Sequence, residues 1–185
     1  MGAWNHWHDR PVVHAPGVLV AHDPVQRPLD VKPAGLGKLG YQITPWNPSR
    51  SKRVCWRSRR YRFDRAADLS PVDLAARLGP DVRPGGPQNE STSARAEGSI
   101  SGMSRSVPIP RREIEVHSAN MHMIPATGQI ERRLVNLRPG QVVALAGYLV
   151  EVHAADGWQW RSSLTREDTG AGACELVWVE TLDVR

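Results

Sequence analysis

Cysteine is scarce in this chain, with Cys55 and Cys174 standing alone in 185 residues. Two thiols, with no Cys-x-x-Cys pair, exclude a disulfide framework. Both are expected to be unpaired, with Cys174 buried in a strand. Phenylalanine occurs once. No stretch approaches the roughly 18 apolar residues that a membrane-spanning helix needs. His and Trp interrupt residues 1–10 before any apolar run forms, so as written the segment reads as neither signal peptide nor anchor. The expectation is a cytoplasmic chain with no membrane segment. Phosphate loops are missing too: residues 169–172, TGAG, have no Gly-Lys-Ser/Thr and no following helix.

What is present in excess is local positive charge. The net charge is +5 and the pI near 9.8. Residues 50–65 hold eight Lys or Arg and one Asp, a net +7, which leaves −2 for the rest. Lys52, Arg53, Arg57, Arg59 and Arg60, interleaved with Trp56, Tyr61 and Phe63, have the composition of a nucleic-acid patch. Nucleic acid as a partner rests on this tract.

The pattern along the chain divides it into four parts. Residues 1–40 form an extended Pro/Gly-rich arm. Residues 41–82 comprise the basic tract, with neither alternation nor helical period, and a short helix over 66–78. In that helix Ser70 is the expected N-cap and Pro71 the first helical residue, with Leu74 and Leu78 sharing a face. Residues 83–106 contain no Val, Leu, Phe, Trp or Tyr and are expected to be a disordered linker. Residues 107–185 are a β-rich, OB-like domain. There, REIEVHSA and MHMIPA read as strands. Thr127 caps a helix carrying Ile130, Leu134 and Leu137. QVVALAGYLVEVH is apolar on both faces and so central, with a bend expected at Gly147. Residues 155–157 form a hairpin turn, and WQWRSSL and CELVWVETLDV complete the set. The fold class is mainly β with one or two short helices. It is a small OB-like or half-open barrel in the C-terminal half, beside a largely irregular N-terminal half.

PIPRREIEVHSANMHMIPA, LRPGQVVALAGYLVEV and DGWQWRSSLTREDTGAGACELVWVE, with PGVLVAHDPVQRPL, YQITP and YRFDRAADLSPVDLA upstream, resemble an uncharacterised proteobacterial family found in xanthomonad-type genomes. The resemblance implies no activity. It does imply membrane-anchored or periplasmic relatives, whose opening apolar anchor is not found here. Between these islands the text resembles a frameshift. Residues 46–57, WNPSRSKRVCWR, reverse-translated and read one base earlier, yield LEPFEIEARVLA, an alternating strand. Residues 78–87 and 90–102 yield WGPMSDPAVL and VDISQSGRFYFW in shifted frames. Residues 46–60 and 76–106 are therefore expected to be frameshift products, and the barrel to be incomplete with open edges.

Chemistry-bearing residues are few. His117 and His122 are five apart and face opposite sides of an extended chain, so no shared metal is expected. Asn120 and His122 share a face and are candidates for binding a polar ligand. Trp158 and Trp160 share another and are candidates for stacking on bases or sugars. A hydrolase would use His122, Ser162 and Asp168, although neither Ser162 nor Ser163 lies in a nucleophile-elbow pattern. Nothing local lowers the pKa of Cys174 to make it a thiol catalyst with His122. The reading is a non-enzymatic β-rich module of unknown ligand, without cofactor, metal or catalytic residues. Non-specific nucleic-acid binding and hydrolysis are the alternatives.

Overall fold

The computed structural model describes residues 10–14, 20, 25–26, 34–61, 64–77, 118–163 and 174–185. Eight strands and two short helices are seen there. They are β1 (Val25–Gln26), β2 (Leu36–Lys38), β3 (Tyr41–Arg60), α1 (Arg65–Leu69), β4 (Val72–Arg77), β5 (Ser118–Pro125), α2 (Gly128–Leu134), β6 (Val142–His153), β7 (Gln159–Arg161) and β8 (Glu175–Val184). The expected linker 83–106, residues 107–117 with His117, and the loop bearing Asp168 lie outside the described residues. So do residues 78–82 and most of 1–33. Among the described residues no helix is long and apolar enough to cross a membrane.

β6 forms where an unbroken apolar run demands burial on both sides. It pairs antiparallel with β3 and β8 along most of its length and with β7 at its end. At Gly147, where a bend is expected, the strand is crossed closely by β8. A Cβ there would stand 1.8 Å from the carbonyl oxygen of Trp178, so only glycine permits this approach, and the ladder to β8 shifts register at the same point. Five strands, in the order β3-β4-β5-β8-β6, close on themselves through the β3–β6 pairing. The parallel pair is β5 with β8. Thr127 caps α2 through the amide of Ile130, and Ile130, Leu134 and Leu137 pack into the interior core. Inside lie Val72, Leu74 and Ala76 of β4, Met121 and Met123 of β5, Val143, Leu145 and Leu149 of β6, and Val177, Val179 and Leu182 of β8. A second cluster on the outer side joins Ile43, Leu69, Ile124, Val150, Val152, Leu176 and Trp178.

Three expectations need correction. The fold is mainly β with two short helices and a small barrel, as expected, but the barrel is closed and not confined to residues 107–185, and residues 41–60 and 72–77 of the N-terminal half are strands rather than irregular chain. The basic tract forms β3, a 20-residue strand that pairs with both β4 and β6 and closes the barrel. Ladder hydrogen bonds are made by the backbone and do not read side chains, so a chain of Ser, Arg and Lys can be held between two strong neighbours. Val54 is accordingly buried against Val20 and Val142.

The helix expected over 66–78 is split. Asp64, not Ser70, caps α1, accepting from the Ala67 amide at 2.7 Å. The helix stops before Pro71, which disfavours helical backbone in the residue preceding it. Residues 72–77 then alternate in and out as β4, because strands wait on both of its edges. Finally, Cys174 is half-buried just before β8 rather than inside a strand; both cysteines are free thiols, Cys55 being buried.

Candidate functional site on the outer face of β4 and β5

Alternation that sends Val72 and Leu74 inward turns Asp73 outward, and register places it opposite His122 on β5. The His122 Nδ1 lies 2.6 Å from Asp73 Oδ1, and both side chains are largely shielded from solvent. The Tyr61 hydroxyl also hydrogen-bonds to Asp73. Arg59 lies over the Tyr61 ring at 5.0 Å. The parallel pairing of β8 with β5 sets Glu175 beside Met121, which brings Cys174 alongside Asn120 and His122. The Asn120 Nδ2 donates to Cys174 Sγ at 3.5 Å, and His122 hydrogen-bonds to the same thiol. Five residues from three distant parts of the chain thus form one connected network.

The electrostatics follow from these contacts. The hydrogen bond from His122 pulls the Cys174 thiol below its ordinary pKa, against the opposing effect of burial. Burial pulls the His122 imidazole down, but hydrogen bonds and charge from Asp73 and Cys174 outweigh it and raise the pKa to about 9. Burial, then the charge and hydrogen bond of Asp73, push the Tyr61 hydroxyl up. By contrast Cys55, inside the barrel, is pushed up to about 12 by burial alone. It has no part in thiol chemistry at neutral pH.

The aromatic residues join this network. Trp160, half-buried on β7, meets His122 edge to face with centroids 4.8 Å apart. Trp158 is 5.9 Å from Trp160, and Tyr41 is 5.8 Å from Trp158. Arg65 lies over Trp158 at 4.8 Å. It is held by both oxygens of Asp156, at 2.6 and 2.9 Å, and donates to Tyr41 Oη.

The four ligand-binding candidates therefore fall on one surface: Asn120 and His122 on β5, Trp158 and Trp160 on and beside β7. The nucleic-acid candidates divide. Lys52, Arg57, Arg59 and Arg60 are exposed or partly so, while Arg53 is fully buried and bonded to Glu175 at 3.0 Å, so it cannot meet a phosphate. Register puts Arg57 and Arg59 beside Ala75 and Asp73, on the face that carries His122. Of the hydrolase set, His122 and Ser162 are among the described residues. Ser162 Oγ is buried, donating to the Ser163 carbonyl and accepting from the Leu176 amide, so it ties the β7 connection to β8. Asp168 lies outside the described residues.

Asp73 and Cys174 as partners of His122, and Tyr61 as a partner of Asp73, are not evident in the sequence. The one available signal for Asp73 is its place as the single polar residue between Val72 and Leu74. Among the described residues no group of three or more His, Cys, Asp or Glu could hold a metal ion. No family model, curated protein or solved structure matches the chain.

Proposed function

We propose that this chain is a ligand-binding barrel module whose ligand lies against Trp158 and Trp160 and hydrogen-bonds to Asn120, beside His122. The observation that carries this reading is the convergence of those four residues on one surface. That surface is the outer face of the second and third barrel strands, β4 and β5. It is flanked by residues 64–71, after the first barrel strand, and 154–163, after the fourth. OB-like barrels take oligonucleotides and oligosaccharides on that face and on those two loops. Location on a fold says less about function than the residues do. Here the residues supply ring faces for stacking and polar groups that fix orientation, the usual composition of a site for a sugar or base.

Tryptophan fluorescence tests it. Titration with a soluble oligosaccharide or a short single-stranded oligodeoxynucleotide is expected to quench the signal. Trp158→Ala and Trp160→Ala should each weaken binding, by about 1–3 kcal/mol per lost stacking contact. A native chain quenched by neither probe overturns the reading.

Nucleic acid is the second reading, favoured by Arg57 and Arg59 standing on the same face beside Asp73. It requires affinity for the oligodeoxynucleotide to fall steeply with salt, and neutralising Lys52, Arg57, Arg59 and Arg60 to abolish it. Oligosaccharide binding would be indifferent to both.

A further inference from the structure

We propose that Cys174 is the nucleophile of an acyl-transfer site, with His122 as its base and Asp73 as the residue that orients His122. This goes beyond ligand binding and does not depend on the stacking surface. The geometry is the Asp73 carboxylate of β4 at 2.6 Å from the His122 imidazole of β5, with the Cys174 thiol, just ahead of β8, held at 3.5 Å by Asn120 and hydrogen-bonded to His122. A nucleophile next to a base, with the base oriented by a third group, is the arrangement that activates thiols and hydroxyls on many unrelated folds. Asp73 engages Nδ1 of His122, which leaves Nε2 to serve the thiol. Asn120 adds a second donor to Sγ. The Trp160 edge against the imidazole limits its rotation. Cys174 is only half-buried, and its carbonyl is pinned by the Ser163 amide at 3.0 Å, so its backbone position is defined.

The chemistry balances with an ester and water as reactants. Thiolate Sγ attacks the ester carbonyl carbon. A C–S bond forms, the C–O bond breaks, and the departing alkoxide takes the proton held on His122. Water then returns a proton to His122 while its oxygen attacks the thioester carbon. The C–S bond breaks, releasing the acid and restoring thiolate and imidazolium. The groups that bear on the pair are Asp73 from β4 and Asn120 from β5; Tyr61 bears on Asp73, and Arg59 and Asp64 bear on Tyr61. A protonated His122 and the Asn120 amide favour the thiolate; Asp73 keeps the imidazole charged.

The test uses the full chain and two probes. Iodoacetamide reports the thiolate, and Cys55 is too buried to compete. Its rate of reaction with Cys174 is expected to titrate below the ordinary thiol pKa of about 8.5. His122→Gln should move that midpoint up and slow labelling at pH 7 about tenfold or more, since each pKa unit is a factor of ten in thiolate. p-Nitrophenyl acetate should release p-nitrophenol in a burst and leave one acetyl group on Cys174. Cys174→Ser should abolish the burst, and Asp73→Asn should slow it. A native midpoint near 8.5 overturns the proposal. So does a midpoint unchanged in His122→Gln, or a low midpoint without acetyl transfer. If His122→Gln fails to fold, the native midpoint and the acetyl transfer decide. Fluorescence quenching by the oligosaccharide or oligonucleotide, repeated on Cys174→Ser, separates failure of acyl transfer from failure of ligand binding.

Discussion

β3 and β6 run side by side for twelve paired positions, yet they fill the same barrel with opposite materials. Cross-strand partners point to the same side. Facing Val143, Leu145 and Gly147 of β6 are Arg53, Ser51 and Ser49 of β3. Cys55 and Ser58 continue the inward row of β3. β6 thus contributes apolar surface at these inward positions, and β3 contributes Ser, Ser, Arg, Cys and Ser. The cost is visible: the hydroxyls of Ser49 and Ser58 are buried without a hydrogen-bond partner among the described residues. Arg53 is kept inside by Glu175, whose carboxylate it meets at 3.0 and 3.3 Å, with Ser51 accepting from its Nε. A strand can therefore be specified by its neighbours when its own side chains argue against burial. One such strand makes a closed but unevenly stabilised barrel.

The contrast between the two strands bears on the proposed frameshift. In the shifted text LEPFEIEARVLA, positions 49, 51, 53 and 55 become phenylalanine, isoleucine, alanine and valine. Positions 50, 52 and 54 become charged. The apolar residues fall on the buried positions of β3 and the charges on the opposite row. The gene's own codons test it. Stops or unrelated text one base upstream of codon 46 would defeat the proposal.

The largest expected effect comes from breaking the ion pair. Arg53→Met leaves Glu175 buried without its partner and should cost on the order of 3–5 kcal/mol in urea unfolding. Adding Glu175→Leu should recover most of that, because replacing a buried pair by apolar residues is often neutral. If the double variant is no better than the single, the pair does more than neutralise itself. Next, Leu145→Ala on the β6 side should cost about 2–5 kcal/mol by leaving a cavity. The facing Ser51→Ala should cost far less.

Smaller still, Ser49→Ala is expected to stabilise by about 1 kcal/mol, the lower range for an orphaned buried hydroxyl. A loss instead would show that the hydroxyl has a partner. The last effect is one of pH. The raised His122 pKa means that its charged form is favoured by folding. That stability is fully present below about pH 6.5 and is lost as pH rises through about 9. Unfolding of the native chain and of His122→Gln, compared at pH 6 and pH 10, should show the native advantage only at the lower pH.

Much of the barrel is legible in the sequence because apolar residues announce it. The run 142–153 needs burial on both faces, Thr127 and the 130/134/137 spacing define a capped helix, and the ELVWV segment closes the sheet. β3 is illegible, because its inward row is polar and its outward row is basic, so no alternation in hydrophobicity remains. β4 is ambiguous: Leu74 and Leu78 fit a helical face as well as VDLAAR fits a strand, and only pairing with β3 and β5 separates the two. Asn120, His122, Trp158 and Trp160 are recognisable as chemistry-bearing residues on strands. Asp73 looks like a first-turn acid of a helix, and Cys174 has no sequence neighbour that would lower its pKa.

Composition and periodicity by themselves determined that this is a β-rich chain with a central strand at 142–153, a helix after Thr127 and a separate basic tract. Hydrophobic pattern is a local property, and the burial it demands can be read without knowing the partner. Which residues meet is a property of register. Only the tertiary structure turned the basic tract into the closing strand, took Arg53 out of the charged surface, and drew Asp73, His122 and Cys174, about fifty residues apart at each step, onto one face. No single-sequence pattern encodes contacts made across paired strands at that separation.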